Sequence, residues 1–227
     1  MSRSRLNLRV MIATSVALTT CAADPPAVDP NLAEAIRWYT GVSGRVDNEQ
    51  ARALLLQAAS DGDAVSRMWI ARVYSRGRMG FEENVDSART IAHAAMAGVE
   101  AAAEQGGAEA AFLMGTAYAE GLGKDQNDEV AVDWYRRAAD MGNVLAQHNM
   151  GNVYFSGTGV QQNDSLAAHW WAKAASQGDA IPQFRLGTMY EQGRGVARDL
   201  DQARRWYEES ASRGYSDAVE ALALLRN

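Results

Sequence analysis

The chain has little of what catalytic, metal-binding and nucleic-acid-binding proteins use. In 227 residues there is 1 cysteine, Cys21, and there are 3 histidines. A disulfide framework needs paired cysteines and a thiolate metal site needs several, so neither is expected. His93, His148 and His169 have no second ligand at chelating spacing. His148 shares a column with Phe112 and Phe184, which predicts a packed ring there. Ser-x-x-Lys, Gly-x-Ser-x-Gly and His-Glu-x-x-His are all missing. Three Gly-x-Gly units occur without the third glycine of a dinucleotide loop, and they read as turns. The expectation is a protein without catalytic residues, cofactor or metal. Basic excess is missing too: the formal charge is −6. Setting aside Arg3, Arg5 and Arg9 takes the bases from 22 to 19 against 28 acids, a net −9. Such a surface repels phosphate backbones, so nucleic acid is not an expected partner. The apolar run Val10 to Leu18 falls well short of the roughly 20 residues that span a bilayer.

What the chain has in abundance is self-similarity. Gly106, Gly142, Gly178 and Gly214 stand 36 residues apart. The same interval separates Gly115, Gly151 and Gly187, then Tyr118, Tyr154 and Tyr190, then Trp134, Trp170 and Trp206. Gly121-x-Gly123, Gly157-x-Gly159 and Gly193-x-Gly195 keep the same register. A fixed period of this size marks a stacked array in which each unit leans on its neighbours.

Residues 143–178 show one unit. Val144 to Phe155 has helical apolar spacing, and Gly157-Thr158-Gly159 breaks it, since glycine tolerates the positive φ that ends a helix. Asn163 is placed to cap a second helix that Gly178 stops. Asp47, Asn84, Asn127 and Asp199 occupy the equivalent cap positions. Each unit is therefore two helices of about 12 residues joined by a glycine turn. Glycine and alanine columns allow close backbone approach, and the matched Trp and Tyr columns are predicted to fill the gaps. Burying one large aromatic stabilises by about 1.5–3 kcal/mol, so these rings should dominate stacking.

The pattern Ala-x-x-x-Leu-Gly-x-x-Tyr-x-x-Gly-x-Gly-Val…Ala-x-x-Trp-Tyr-x-x-Ala-Ala-x-x-Gly resembles the Sel-one-like repeat (SLR), a relative of the tetratricopeptide repeat. It is clearest in Leu186-Gly187, Tyr190, Gly193-Arg194-Gly195-Val196, Ala203, Trp206-Tyr207, Ala211 and Gly214. The resemblance implies an all-α fold, an α/α solenoid formed as a right-handed superhelix of helix-turn-helix units. Units are expected at 31–62 (degenerate), 63–106, 107–142, 143–178 and 179–214, with a capping helix in 215–227. The second carries 44 residues instead of 36, and the extra eight are expected within Ser87 to Gln105, lengthening its second helix.

The N-terminus has its own logic. Arg3, Arg5 and Arg9 precede the apolar run, as in an export signal. Leu18-Thr19-Thr20-Cys21 resembles a bacterial lipobox, although Thr20 replaces the usual small residue before the cysteine. The resemblance implies a signal peptide over 1–20, lipidation at Cys21, and a tether over 21–30 that is rich in proline. Ala22 after the cysteine implies outer-membrane sorting, with the protein facing the periplasm and touching membrane through its lipid alone. The alternatives are an ordinary cleaved signal ending near Ala22 or Ala23, giving a soluble periplasmic or secreted protein, and a retained segment.

In tetratricopeptide arrays the first helix of each unit lines a concave face. The analogy places Val65, Trp69, Arg72 and Arg76 there, followed by Glu109, Leu113, Thr116 and Glu120. Leu145, Asn149, Asn152, Ser156, Ile181, Arg185, Thr188 and Gln192 continue the stripe. Trp69, Arg72 and Arg76 form an aromatic and cationic patch suited to carboxylates. Alternatively Trp69 packs on the first unit and the arginines stay solvated or pair with Glu82 and Glu83. The functional expectation is a non-enzymatic envelope protein holding a protein or peptide in its groove, for assembly, regulation or toxin inhibition. A cell-wall hydrolase and a self-associating structural protein are the alternatives, and oligomeric state is left open.

Overall fold

The computed structural model describes residues 27–225, so Cys21 and the signal-like segment lie outside the described residues. Among the described residues there are eleven α-helices and no strand. They are α1 (Pro30–Thr40), α2 (Asn48–Ser60), α3 (Ala64–Ser75), α4 (Val85–Glu104), α5 (Ala108–Glu120) and α6 (Asp128–Asp140). α7 (Val144–Ser156), α8 (Asp164–Ser176), α9 (Ala180–Gln192), α10 (Leu200–Ser212) and α11 (Ser216–Leu225) complete the set. Odd-numbered helices begin units and even-numbered ones end them, and consecutive pairs stack as an α-solenoid. None of these helices is long and apolar enough to cross a membrane.

The unit boundaries follow from local chemistry. Asp47, Asn84, Asn127, Asn163 and Asp199 each accept a hydrogen bond from the backbone N–H three residues on, which satisfies a donor at the start of the second helix. Gly62, Gly106, Gly142, Gly178 and Gly214 end those helices at φ between +84° and +94°.

Packing within a unit rests on a glycine of the first helix and a ring of the second. A Cβ on Gly115 would lie 2.5 Å from the Tyr135 ring, one on Gly151 2.2 Å from Trp171, and one on Gly187 2.5 Å from Tyr207. The deeply buried rings are therefore Tyr135, Trp171 and Tyr207, one residue after the tryptophan column. Trp134 and Trp206 are only half-buried. A step of one helical residue turns the side chain by about 100°, enough to move it from the seam to the flank.

Register shows where the second unit is longer. The last residue of α4, Glu104, stands 36 before Asp140, the last of α6, whereas α4 begins at Val85 and α6 at Asp128. The added turns lie at the front of α4, before Ala92, ahead of most of the span expected from the sequence. The preceding 3-10 turn, Arg78–Gly80, contains Met79 at φ +53°, the one non-glycine with positive φ among the described residues. Met79 stands 44 before Gly123, so it occupies the second glycine of the Gly-x-Gly turn, with its side chain buried.

The array also meets itself. Val46 N–H donates to the Arg213 carbonyl at 2.8 Å, and Arg213 Nη1 donates to the Gly41 carbonyl at 2.9 Å. The α1–α2 turn of the first unit thus lies against the α10–α11 turn that follows the fifth.

Candidate functional site

The stripe of first-helix residues divides into two differently built halves. In α3 and α5 it is sealed. Trp69, Leu113 and Thr116 are buried, and Arg72 is only 6% exposed. The Arg72 guanidinium carbon lies 4.6 Å from the Trp69 ring centroid, 5.2 Å from Phe112 and 5.8 Å from Tyr39. Tyr39, Trp69, Phe112 and Tyr135 follow one another at centroid spacings of 6.4, 5.9 and 5.9 Å, an aromatic file through three units. Burial pulls the Arg72 pKa down, yet a guanidinium remains protonated at any physiological pH.

Trp69 is held by more than packing. Its Nε1–H donates to Glu109 Oε1 at 2.7 Å, and Asn143 Nδ2 donates to Glu109 Oε2 at 2.7 Å. Asn143 also caps α7 through Ala146 N–H, so one carboxyl ties three units together. Burial pushes the Glu109 carboxyl above its usual range, against the opposing pull of Trp69, Asn143 and Arg72.

At the other end of these helices, Arg78 forms a close ion pair with Glu120. Ser75 Oγ donates to Glu120 at 2.6 Å, and Arg76 approaches it at 3.5 Å with 63% of its own side chain exposed. Burial alone would raise the Glu120 pKa, but Arg78's hydrogen bond and charge prevail and hold it low. Arg76 and Arg78 therefore pair with Glu120 rather than with Glu82 or Glu83.

In α7 and α9 the same stripe is open beyond the buried Leu145. Asn149, Asn152 and Thr188 are half-buried and Arg185 is exposed, with Ser156 and Gln192 exposed at the far end. The third, fourth and fifth units each hydrogen-bond a buried ring to their own part of the stripe. Tyr135 Oη lies 3.4 Å from Thr116 Oγ1, Trp171 Nε1–H donates to Asn152 Oδ1 at 3.3 Å, and Tyr207 Oη lies 3.2 Å from Thr188 Oγ1. Tyr207 Oη donates a hydrogen bond to Glu191 Oε2 at 2.6 Å, and burial first, then that bond, raise its pKa far above a free phenol's. Thr116, Asn152 and Thr188 are thus fixed from behind by their own units. Sequence periodicity could not reveal this support, because the two partners stand 19 residues apart on different helices.

His148 Nδ1 lies 3.0 Å from Asp179 Oδ2, and Asp179 also caps α9. This is a half-packed ring bridging two units. No group of three or more His, Cys, Asp or Glu that could hold a metal ion occurs among the described residues.

These features match known proteins. The Sel1 repeat pattern matches residues 25–40, 39–63, 108–143, 144–179 and 183–215, passing over the lengthened second unit. A Sel1 repeat protein from Oxalobacter formigenes is 37% identical, with a TM-score of 0.58 over 79% of this chain and 50% of that one. A protective antigen present in uropathogenic Escherichia coli strains and displaying an SLR fold is 28% identical, with a TM-score of 0.58 over 86% of this chain and 48% of that one. The chain spans about half the length of both. No curated protein matches it. With repeat pattern, helix-pair stacking and these likenesses in agreement, the chain belongs to the Sel1 repeat family.

Proposed function

We propose that this protein is a non-enzymatic binding protein whose inner face holds a protein or peptide partner, with the contact made by α7 and α9. The observation that carries this reading is the change in exposure along the stripe. Trp69, Arg72, Leu113 and Thr116 are sealed, whereas Asn149, Asn152, Arg185 and Thr188 reach solvent, with Asn152 and Thr188 held from behind by buried rings. Amide side chains suit the N–H and C=O groups of an extended peptide, and arginine suits a carboxylate. A preorganised polar surface loses little entropy on binding, which favours affinity. Arg76, exposed beside Glu120, forms the rim of the sealed half.

The partner belongs to the cell envelope on this reading, because the first 21 residues resemble a lipoprotein signal with Cys21 as the anchor. Globomycin, which blocks lipoprotein signal cleavage, should cause the precursor to accumulate; normal maturation in its presence refutes the anchor. The groove is tested by crosslinked pull-down from envelope extract. Arg185→Glu with Gln192→Ala should abolish a discrete crosslinked product. Arg204→Glu, on the exposed side of α10, should preserve it. Equal capture by both variants removes α7 and α9 as the contact surface.

A further inference from the structure

We infer that Arg213 is a two-position latch, whose present seat on Gly41 joins the first unit to the end of the fifth and whose second seat is Gln183.

Internal repetition identifies the second seat. One unit earlier, Gln147 Nε2 donates to the Ala139 carbonyl at 3.1 Å, and its Oε1 accepts from Gln177 Nε2 at 2.8 Å. Gln177 also reaches the Gly142 carbonyl at 3.0 Å. Advancing every residue by 36 converts Gln147, Ala139, Gly142 and Gln177 into Gln183, Ala175, Gly178 and Arg213. One of the three bonds survives: Gln183 Nε2 donates to the Ala175 carbonyl at 3.1 Å. The guanidinium still lies over Gly178, 3.1 Å from where a Cβ would stand. The other two bonds, from residue 213 to Gly178 and to Gln183, are not made. Arg213 directs Nη1 to Gly41, and both Gln183 Oε1 and Arg213 Nε are buried without a hydrogen-bond partner.

A donor and an acceptor are therefore stranded in one unit, beside a cavity of about 350 Å³ that Gln183 and Arg213 both line. Buried unpaired polar groups are unfavourable, and these two would satisfy each other if the guanidinium turned back toward its own unit. The bond to Gly41 is then lost and the first unit is released, while the fifth regains the pairing its predecessor has. Closure and opening each satisfy what the other leaves unpaired, so neither state dominates by default. Separating the first unit from the fifth widens the space between their inner helices.

Amide exchange by NMR on the full chain tests this, because the molecule contains its own control. Val46 N–H is bonded across the junction to the Arg213 carbonyl, whereas Asp47 N–H is bonded within the first unit to Trp38. Arg213→Gln recreates the pairing of Gln177 and is too short to hold Gly41. It should speed Val46 exchange about 10-fold or more while leaving Asp47 unchanged. Gln183→Glu strengthens the second seat and should act in the same direction. Gln183→Leu removes that seat and should slow Val46 exchange below wild type. The latch is refuted if Arg213→Gln leaves Val46 protected, if Val46 and Asp47 accelerate together, or if Gln183→Leu releases Val46 as Arg213→Gln does.

Discussion

The first three units and the last two share one helix-pair plan and differ in how they use it. From Leu32 to Trp170 the buried side chains form one continuous cluster that reaches into the fourth unit, whereas Ala167, Trp171, Leu186 and Met189 belong to a smaller second one. In the first region the stripe positions hold Trp69, Arg72, Leu113 and Thr116, and they lock units together. In the second the same positions hold Asn149, Asn152, Arg185 and Thr188, and they meet solvent. A repeat framework fixes where a residue stands, but whether that place is core or surface depends on how far neighbouring first helices converge. The largest expected effects therefore fall in the first region. Trp69→Ala should cost about 3–5 kcal/mol, because it removes a buried ring from the aromatic file and one donor from buried Glu109. Arg185→Ala, at the next-but-one unit's equivalent of Leu113, should change stability by less than about 0.5 kcal/mol. Urea unfolding measures both. Similar costs would erase the distinction.

Two glycine substitutions sharpen the comparison, since their local geometry is matched. An alanine Cβ at Gly115 or at Gly187 would come within 2.5 Å of a tyrosine ring. Tyr135 stacks on Phe112, which stacks on Trp69, so its displacement would push on a closed file. Tyr207 stacks on Phe184, which is half-buried and has room to give. Gly115→Ala is expected to cost about 3 kcal/mol and Gly187→Ala about 1–2 kcal/mol. Thermal unfolding of the two variants side by side would reverse this reading if Gly187→Ala proved the more damaging.

The plan of the array was readable because its causes are local. An Asx cap, a left-handed glycine and a helical apolar stripe each act over a few residues, so Asn163, Gly178 and their equivalents mark where second helices start and stop. The deep rings were misplaced by one residue, since Trp and Tyr columns both repeat and only the opposing glycine selects between them. Nothing in the period announced that Leu113 and Thr116 would be sealed or that Gly41 would meet Arg213. Those outcomes accumulate from small rotations at every junction. Met79 left a faint trace, as it stands one lengthened unit before a turn glycine. The candidate surface was legible as positions, but its division into sealed and open halves was not.

Charge divides the first region itself more finely. Glu109 has a raised pKa when folded, so the folded state binds a proton more tightly than the unfolded chain does. Its contribution is fully present below the unfolded value near 4.5 and is lost as pH rises toward the folded value. Glu120 has the opposite sign: its contribution is present above 4.5 and is lost as pH falls. Glu109→Gln mimics the protonated form and should cost about 1–2 kcal/mol through one ill-matched hydrogen bond. It should also flatten the decline in stability above pH 4.5. Stability measured across pH would show an unchanged slope if burial did not govern this carboxyl.

A small effect is also expected at an ion pair of the second region, which has the better geometry yet should matter less. Arg194 meets Asp164 through Nε at 2.8 Å and Nη2 at 3.0 Å, and its guanidinium lies 3.9 Å from the Phe155 ring centroid. Both side chains are about one-third exposed, at 36% and 29%, whereas Arg78 and Glu120 are at 19% and 11%. Water and salt screen the open pair, so Arg194→Ala should cost less than Glu120→Gln, part of it from lost stacking on Phe155. Glu120→Gln, which leaves Arg78 facing a neutral amide in a drier setting, should cost about 2 kcal/mol. Raising salt from 0.05 M to about 1 M should shrink the Arg194 effect more than the Glu120 effect. Equal salt sensitivity would mean that the first region is as wet as the second, despite its buried rings.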